Sequence, residues 1–137
     1  MKKTNILFVC RYNRFRSKVA EAYFKKINKN KSIHVKSAGL IKGNPRKSIK
    51  ELKRFRIKLK GPPHGLTSKL MAWQNITIIV ADNVPSQVFD KNKKYGKKVI
   101  VWKIKDAEKS QTNEKVIAIK QIIKKVDLLV KQLENIK

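Results

Sequence analysis

Cysteine is almost missing from this chain: Cys10 is the only one in 137 residues. A single thiol forms no internal disulfide, which suits a reducing compartment. The two histidines and nine acidic residues show no metal-ligand spacing, so neither a metal nor another cofactor is expected. No apolar run approaches the roughly 20 residues of a membrane span. Met1-Lys2-Lys3 before Ile6-Leu7-Phe8-Val9 imitates the opening of a secretion signal, but the apolar run is too short and Arg11 breaks it. These absences predict a cytoplasmic protein with no membrane partner. Glycine and proline are also few, at five and four, and no linker or internal repeat divides the chain. One domain over 1–137 is expected.

What the chain has in excess is positive charge. Lys and Arg number 35 against nine Asp and Glu, a net charge of +26. That imbalance invites a nucleic-acid reading. Only six of the 35 are Arg, however, and many lysines fall on the solvated side of helical patterns. The charge predicts non-specific attraction to polyanions that fades with salt, while a dedicated nucleic-acid site is an alternative.

The most informative stretch runs from Ile6 to Ala22. Ile6 to Val9 reads as a buried strand, Cys10 ends it, and Arg16-Ser17 opens an amphipathic helical pattern, so the spelling is Cys-x5-Arg-Ser at a strand-to-helix turn. Cysteine attacks as thiolate, a form favoured by a helix N-terminus with cations nearby. A short loop entering a helix points backbone N–H groups inward as an anion cradle. Arg16 adds a planar fork that grips two phosphoryl oxygens. Ser17 is a candidate cap for the helix and a donor to the thiolate. Against this stands the plainer reading of a lone cysteine as a small buried hydrophobe.

The segment resembles the low-molecular-weight protein tyrosine phosphatases and the related arsenate reductases. Their loop reads Cys-x-Gly-Asn-x-Cys-Arg-Ser before a Met-Ala-Glu-Ala-like helix start. Cys10, Asn13, Arg16, Ser17 and Ala20-Glu21-Ala22 match it. Ser37-Ala38-Gly39 is similar to the family's Ser-Ala-Gly after the second strand, and Ile76 to Asp82 to its strand ending in Met-Asp. Trp102 to Ala107 resembles the late segment carrying Asp-Pro, whose Asp is the general acid. The resemblance implies a cysteine-dependent phosphomonoesterase working through a phosphocysteine. Cys10, Arg16 and Asp106 would be catalytic. Arg11, Tyr12, Asn13, Arg14, Phe15, Arg16 and Ser17 would form the phosphate loop, with Ser37 holding the loop asparagine from behind. The partners implied are a phosphorylated protein or small phosphomonoester, with inorganic phosphate as product and inhibitor. Thiol-coupled arsenate reductases of this fold need two further cysteines that this chain lacks.

Several positions depart from the family pattern. Tyr12 replaces the loop glycine, and Phe15 replaces a second cysteine, so the protective loop disulfide of some members cannot form. Ala107 stands where proline follows the acid, which predicts a looser loop. Glu108 and Lys109 stand where aromatics wall the pocket. Arg11 and Arg14 either add charge to the cradle or project outward. The departures motivate a second reading, a phosphate- or phosphopeptide-binding module with little turnover.

Alternation of strands and helices predicts a three-layer α/β fold, a four-stranded parallel sheet with helices on both faces and the phosphate loop after strand one. Strands are expected at 5–9, 32–37, 76–80 and 99–102. Helices are expected at 17–27, from Pro45 through Phe55, from Thr67 to Trp73, and at 113–135. Glu21 should favour the start of the first helix. Asp82-Asn83 should cap a helical turn, and 90–98 should be a connection. His64 reads as a loop histidine.

Overall fold

A computed structural model describes residues 3–95 and 97–135. Four strands, β1 (Thr4–Cys10), β2 (Ile33–Gly39), β3 (Ile76–Val80) and β4 (Lys98–Trp102), form one sheet in the order β2-β1-β3-β4. Every pairing is parallel, and β1 is registered Cys10 to Gly39 on one side and Val9 to Ile79 on the other. The helices are α1 (Arg16–Ile27), α2 (Ser68–Trp73), α3 (Asp90–Lys94) and α4 (Thr112–Asn135).

The apolar run of β1 is explained by burial on both faces. Ile6 and Phe8 pack with Val19 and Phe24 of α1 and Ile119, Ile122 and Val126 of α4. Leu7 and Val9 pack on the other face with Ala38, Ile79 and Phe89, against Leu70 and Met71 of α2. Strand one therefore sits at the centre of the three layers, and its C-terminal end is Cys10.

Three local expectations are corrected. Residues 44–49 are not helical, and a 3-10 helix occupies Lys50–Phe55. Ile49, Leu52 and Phe55 recur every three residues, which is the 3-10 period rather than the α period. The expected cap at Asp82-Asn83 is absent: Pro85 precedes a 3-10 turn at Ser86–Phe89, and α3 continues from it into the expected 90–98 connection. Asp90 in the first turn suits that helix start. Glu21 is not in the first turn of α1, because that helix already begins at Arg16. Thr67 caps α2 as expected, its hydroxyl accepting from the Leu70 N–H at 3.1 Å.

Candidate active site

The loop from Cys10 to Arg16 is shaped from outside by a strap following β2. Leu40, Ile41 and Gly43 N–H groups donate to the carbonyls of Cys10, Arg11 and Tyr12 at 2.9, 3.0 and 3.1 Å. With those carbonyls turned outward, the N–H groups of Tyr12, Arg14 and Phe15 meet no backbone acceptor among the described residues, which is the arrangement of an anion nest. The strap lies too close for side chains. A Cβ on Gly39 would stand 2.5 Å from the Ile41 carbonyl oxygen and 2.6 Å from the Tyr12 carbonyl carbon, and one on Gly43 2.6 Å from the Tyr12 carbonyl oxygen.

Asn13 organises the interior of the loop. It is fully buried, with φ of 57°, a left-handed conformation that asparagine tolerates better than most residues. Its Oδ1 accepts the His64 backbone N–H at 2.8 Å. A backbone N–H can only donate, so this contact fixes the amide orientation. Nδ2 then donates to Ser17 Oγ at 2.8 Å and Ser37 Oγ at 2.9 Å. Each hydroxyl has one proton left to give. Ser37 directs its proton to Glu21 Oε1 at 2.6 Å, and Ser17 Oγ shares a hydrogen bond with Cys10 Sγ at 2.9 Å. The sulfur also receives the Asn13 N–H at 3.3 Å. A hydroxyl and a backbone N–H thus converge on the buried sulfur. Ser17 is therefore not the helix cap; Phe15 holds that position without a side-chain bond.

Arg16 is 2 % exposed. Its Nη1 donates to the Ile104 carbonyl at 2.8 Å and its Nη2 to Asn83 Oδ1 at 3.0 Å. Asp82 lies 3.5 Å and Asp106 3.7 Å from the same guanidinium, and both carboxylates are well exposed. Asn83 and Asp82 were missed as site residues. The available signal was their position directly after β3, at the sheet end where open α/β folds bind ligands.

The remaining predicted residues divide. The Phe15 side chain leaves the loop for the apolar core. Arg14 turns to Glu108, 2.8 Å away, and Arg11 lies over the Tyr12 ring and donates to the Tyr12 hydroxyl at 3.2 Å. The loop around Asp106 is tied at several points. Ala107 is buried, Arg16 holds Ile104, the Asp82 N–H reaches the Ile104 carbonyl at 3.1 Å, and Glu108 is tied to Arg14. A cleft of about 480 Å³ opens beside this loop, lined by Tyr12, Arg14, Lys42, Asp106, Glu108 and Lys109 among others. Its walls are polar and charged, with Tyr12 as the aromatic member. Cys10 and Arg16 are buried and do not line it. Among the described residues no group of His, Cys, Asp and Glu could hold a metal, and no helix is long and apolar enough to cross a membrane.

A thiol under a nest of amides, flanked by a fixed guanidinium and two carboxylates at the end of a central parallel strand, defines a cysteine-based phosphate-handling enzyme. Residues 5–117 match the low molecular weight phosphotyrosine protein phosphatase family. The chain belongs to that family and is a hydrolase of its type. No curated protein matches it in sequence. Among solved structures, it is similar to the YwlE arginine phosphatase from Geobacillus stearothermophilus, with TM-score 0.80 and 20% identity over 96% of this chain and 93% of that one. It is similar to the low molecular weight protein tyrosine phosphatase from T. tengcongensis, with TM-score 0.81 and 20% identity over 95% and 99%. An arsenate reductase from Archaeoglobus fulgidus shares the fold at TM-score 0.67 and 22% identity, over 92% and 98%.

Proposed function

We propose that the chain hydrolyses phosphate monoesters through a phosphocysteine. Loop N–H groups and Arg16 hold the phosphoryl oxygens and the charge that develops on them. The Cys10 thiolate attacks phosphorus, the P–O bond to the leaving group breaks, and Asp106 gives its proton to the departing oxygen. Water then attacks phosphorus, the P–S bond breaks, the sulfur leaves as thiolate, and Asp106 takes the water proton. The observation that carries this reading is the convergence of the Ser17 hydroxyl and the Asn13 N–H on Cys10 Sγ. No step requires a cofactor.

The test is hydrolysis of an aryl phosphate. Cys10→Ser should abolish it. Asp106→Asn should slow turnover by roughly 10²–10⁴-fold, whereas Asp82→Asn should act mainly on binding through Arg16. The reverse ranking would move the acid to Asp82. Tight phosphate binding with no turnover in the wild type would favour the binding-module reading. The charged cleft beside Asp106 supports a polar substrate surrounding over a stacked phenyl ring. Comparing a phosphotyrosine peptide with a phosphoarginine one tests that preference.

A further inference from the structure

Behind the phosphate loop a cleft opens at the side chain of Lys18. Lys18, next to Ser17 in α1, is 3 % exposed, and its Nζ donates to the Lys60 carbonyl at 2.9 Å. Among the described residues no carboxylate lies within ion-pair distance of it. The nearest acid on its helix, Glu21, is committed to Ser37 at 2.6 Å and Lys25 at 2.9 Å. Burial lowers the Lys18 amine's pKa from its ordinary range; Glu21 opposes this, and Arg46 and Lys25 add to it. A partly buried cation facing further cations is costly, and an anion would relieve it.

The space for such an anion is present. A cleft of about 490 Å³ is lined by Lys18, Lys36, Lys42, Lys60 and His64, with Ser37 and Glu21 at its wall. The Lys36 amine is held 4.7 Å over the Trp73 ring. Two of these wall residues touch the catalytic loop directly: Ser37 Oγ and the His64 N–H are both partners of Asn13.

We propose that this cleft is a second anion site, separate from the phosphate loop, taking a phosphate dianion, either free or carried on a second residue of the substrate. Occupancy reaches Cys10 through Ser37, His64 and Asn13. The binding itself is independent of the reaction assigned above, while its effect on turnover rests on that reading.

The test is calorimetric titration with inorganic phosphate, paired with amide NMR shifts. The wild type should bind two equivalents, one moving residues 11–16 and the other Lys60, Gly61 and Gly65. The double variant Lys36→Ala/Lys60→Ala, at exposed positions, should weaken the second equivalent by about tenfold or more. It should leave single-phosphate aryl hydrolysis unchanged. Lys120→Ala/Lys124→Ala, of equal charge change on α4, should leave both equivalents intact. Absence in the wild type of the equivalent that moves Lys60, Gly61 and Gly65, or equal weakening by both pairs, would overturn the proposal. If the loop equivalent and hydrolysis were both missing while the Lys36/Lys60-dependent equivalent remained, the phosphatase reading would fail and this site would stand. A fall in kcat/KM for a doubly but not a singly phosphorylated peptide in Lys36→Ala/Lys60→Ala assigns the dianion to the substrate. No difference between the peptides, with the titration still changed, assigns it to a free ligand.

Discussion

Replacing Asn13 by Ala removes the side chain on which the loop's proton directions depend. Three hydrogen bonds disappear, to His64, Ser17 and Ser37. At about 1 kcal/mol each they account for about 3 kcal/mol. Holding alanine at a φ of 57° adds about 1 kcal/mol, so the total is about 4 kcal/mol. That is less than the roughly 5–15 kcal/mol available to a domain, and the variant should stay folded with Tm lower by roughly 10–20 °C. Activity should fall further than stability suggests. Without Nδ2 as donor, Ser17 and Ser37 lose the contact that orients their hydroxyls beside Cys10 and Glu21, and the nest loses its central residue. Hydrolysis at a temperature where the variant is fully folded should drop by about 10²-fold, the scale of a misplaced reacting group. Urea denaturation and aryl-phosphate kinetics on the same preparation check both numbers. A loss under about 1 kcal/mol, or near-native turnover, would refute the claim that this amide orders the site.

Four further outcomes follow from other contacts. Arg56 ends the 3-10 helix at a φ of 55°, so Arg56→Gly should raise stability by up to about 1 kcal/mol in a urea melt. Glu51 is buried: burial pushes its carboxyl pKa up, but its own backbone N–H, the Thr112 hydroxyl, Lys115 and Lys50 outweigh this and hold it below the ordinary value. A depressed carboxylate stabilises the fold above its unfolded pKa and loses that contribution as pH falls through its folded value, so Glu51→Gln should flatten the acid side of a Tm–pH curve. Burial, with a hydrogen bond to Asp127 and that residue's charge, raises Tyr23 to about 12. Its stabilising share should thus be intact below the unfolded value near 10 and fade above it, an effect absent in Tyr23→Phe. Glu108→Ala, which frees Arg14, should cut kcat more than it changes phosphate inhibition if the pair mainly positions the Asp106 loop, as a kinetic comparison would reveal.

The sheet was legible because its signals are local. Ile76 to Val80 is a β-branched run buried in the middle of the sheet, and the α4 seam repeats at three and four residues, so neither needs distant context. The thiol, the guanidinium and Asp106 could be placed by spacing and family likeness. The rest of the site could not, because it is fixed by contacts between segments far apart in the chain. Asp82 and Asn83 look like a helix cap in sequence, and only the folded approach of β3 to β1 turns them toward Arg16. Arg14 looks like cradle charge until Glu108, more than ninety residues away, is seen to take it. The inward amides of the loop depend most of all on a remote segment. Five residues between Cys10 and Arg16 do not specify which way their carbonyls turn; the strap of 40–43 does, by donating to two of them and to the carbonyl of Cys10 itself. That strap reaches the loop only because β2 pairs in parallel with β1 down to Cys10 and Gly39, and because Gly39 and Gly43 carry no Cβ to hold the two backbones apart. A side chain at Gly39 would meet backbone atoms on both sides, which cannot swing away as a flexible side chain would, so the carbonyls would be released to turn inward and compete with the phosphate for the same space. The anion site is thus a property of the strand pairing as much as of the loop's own residues.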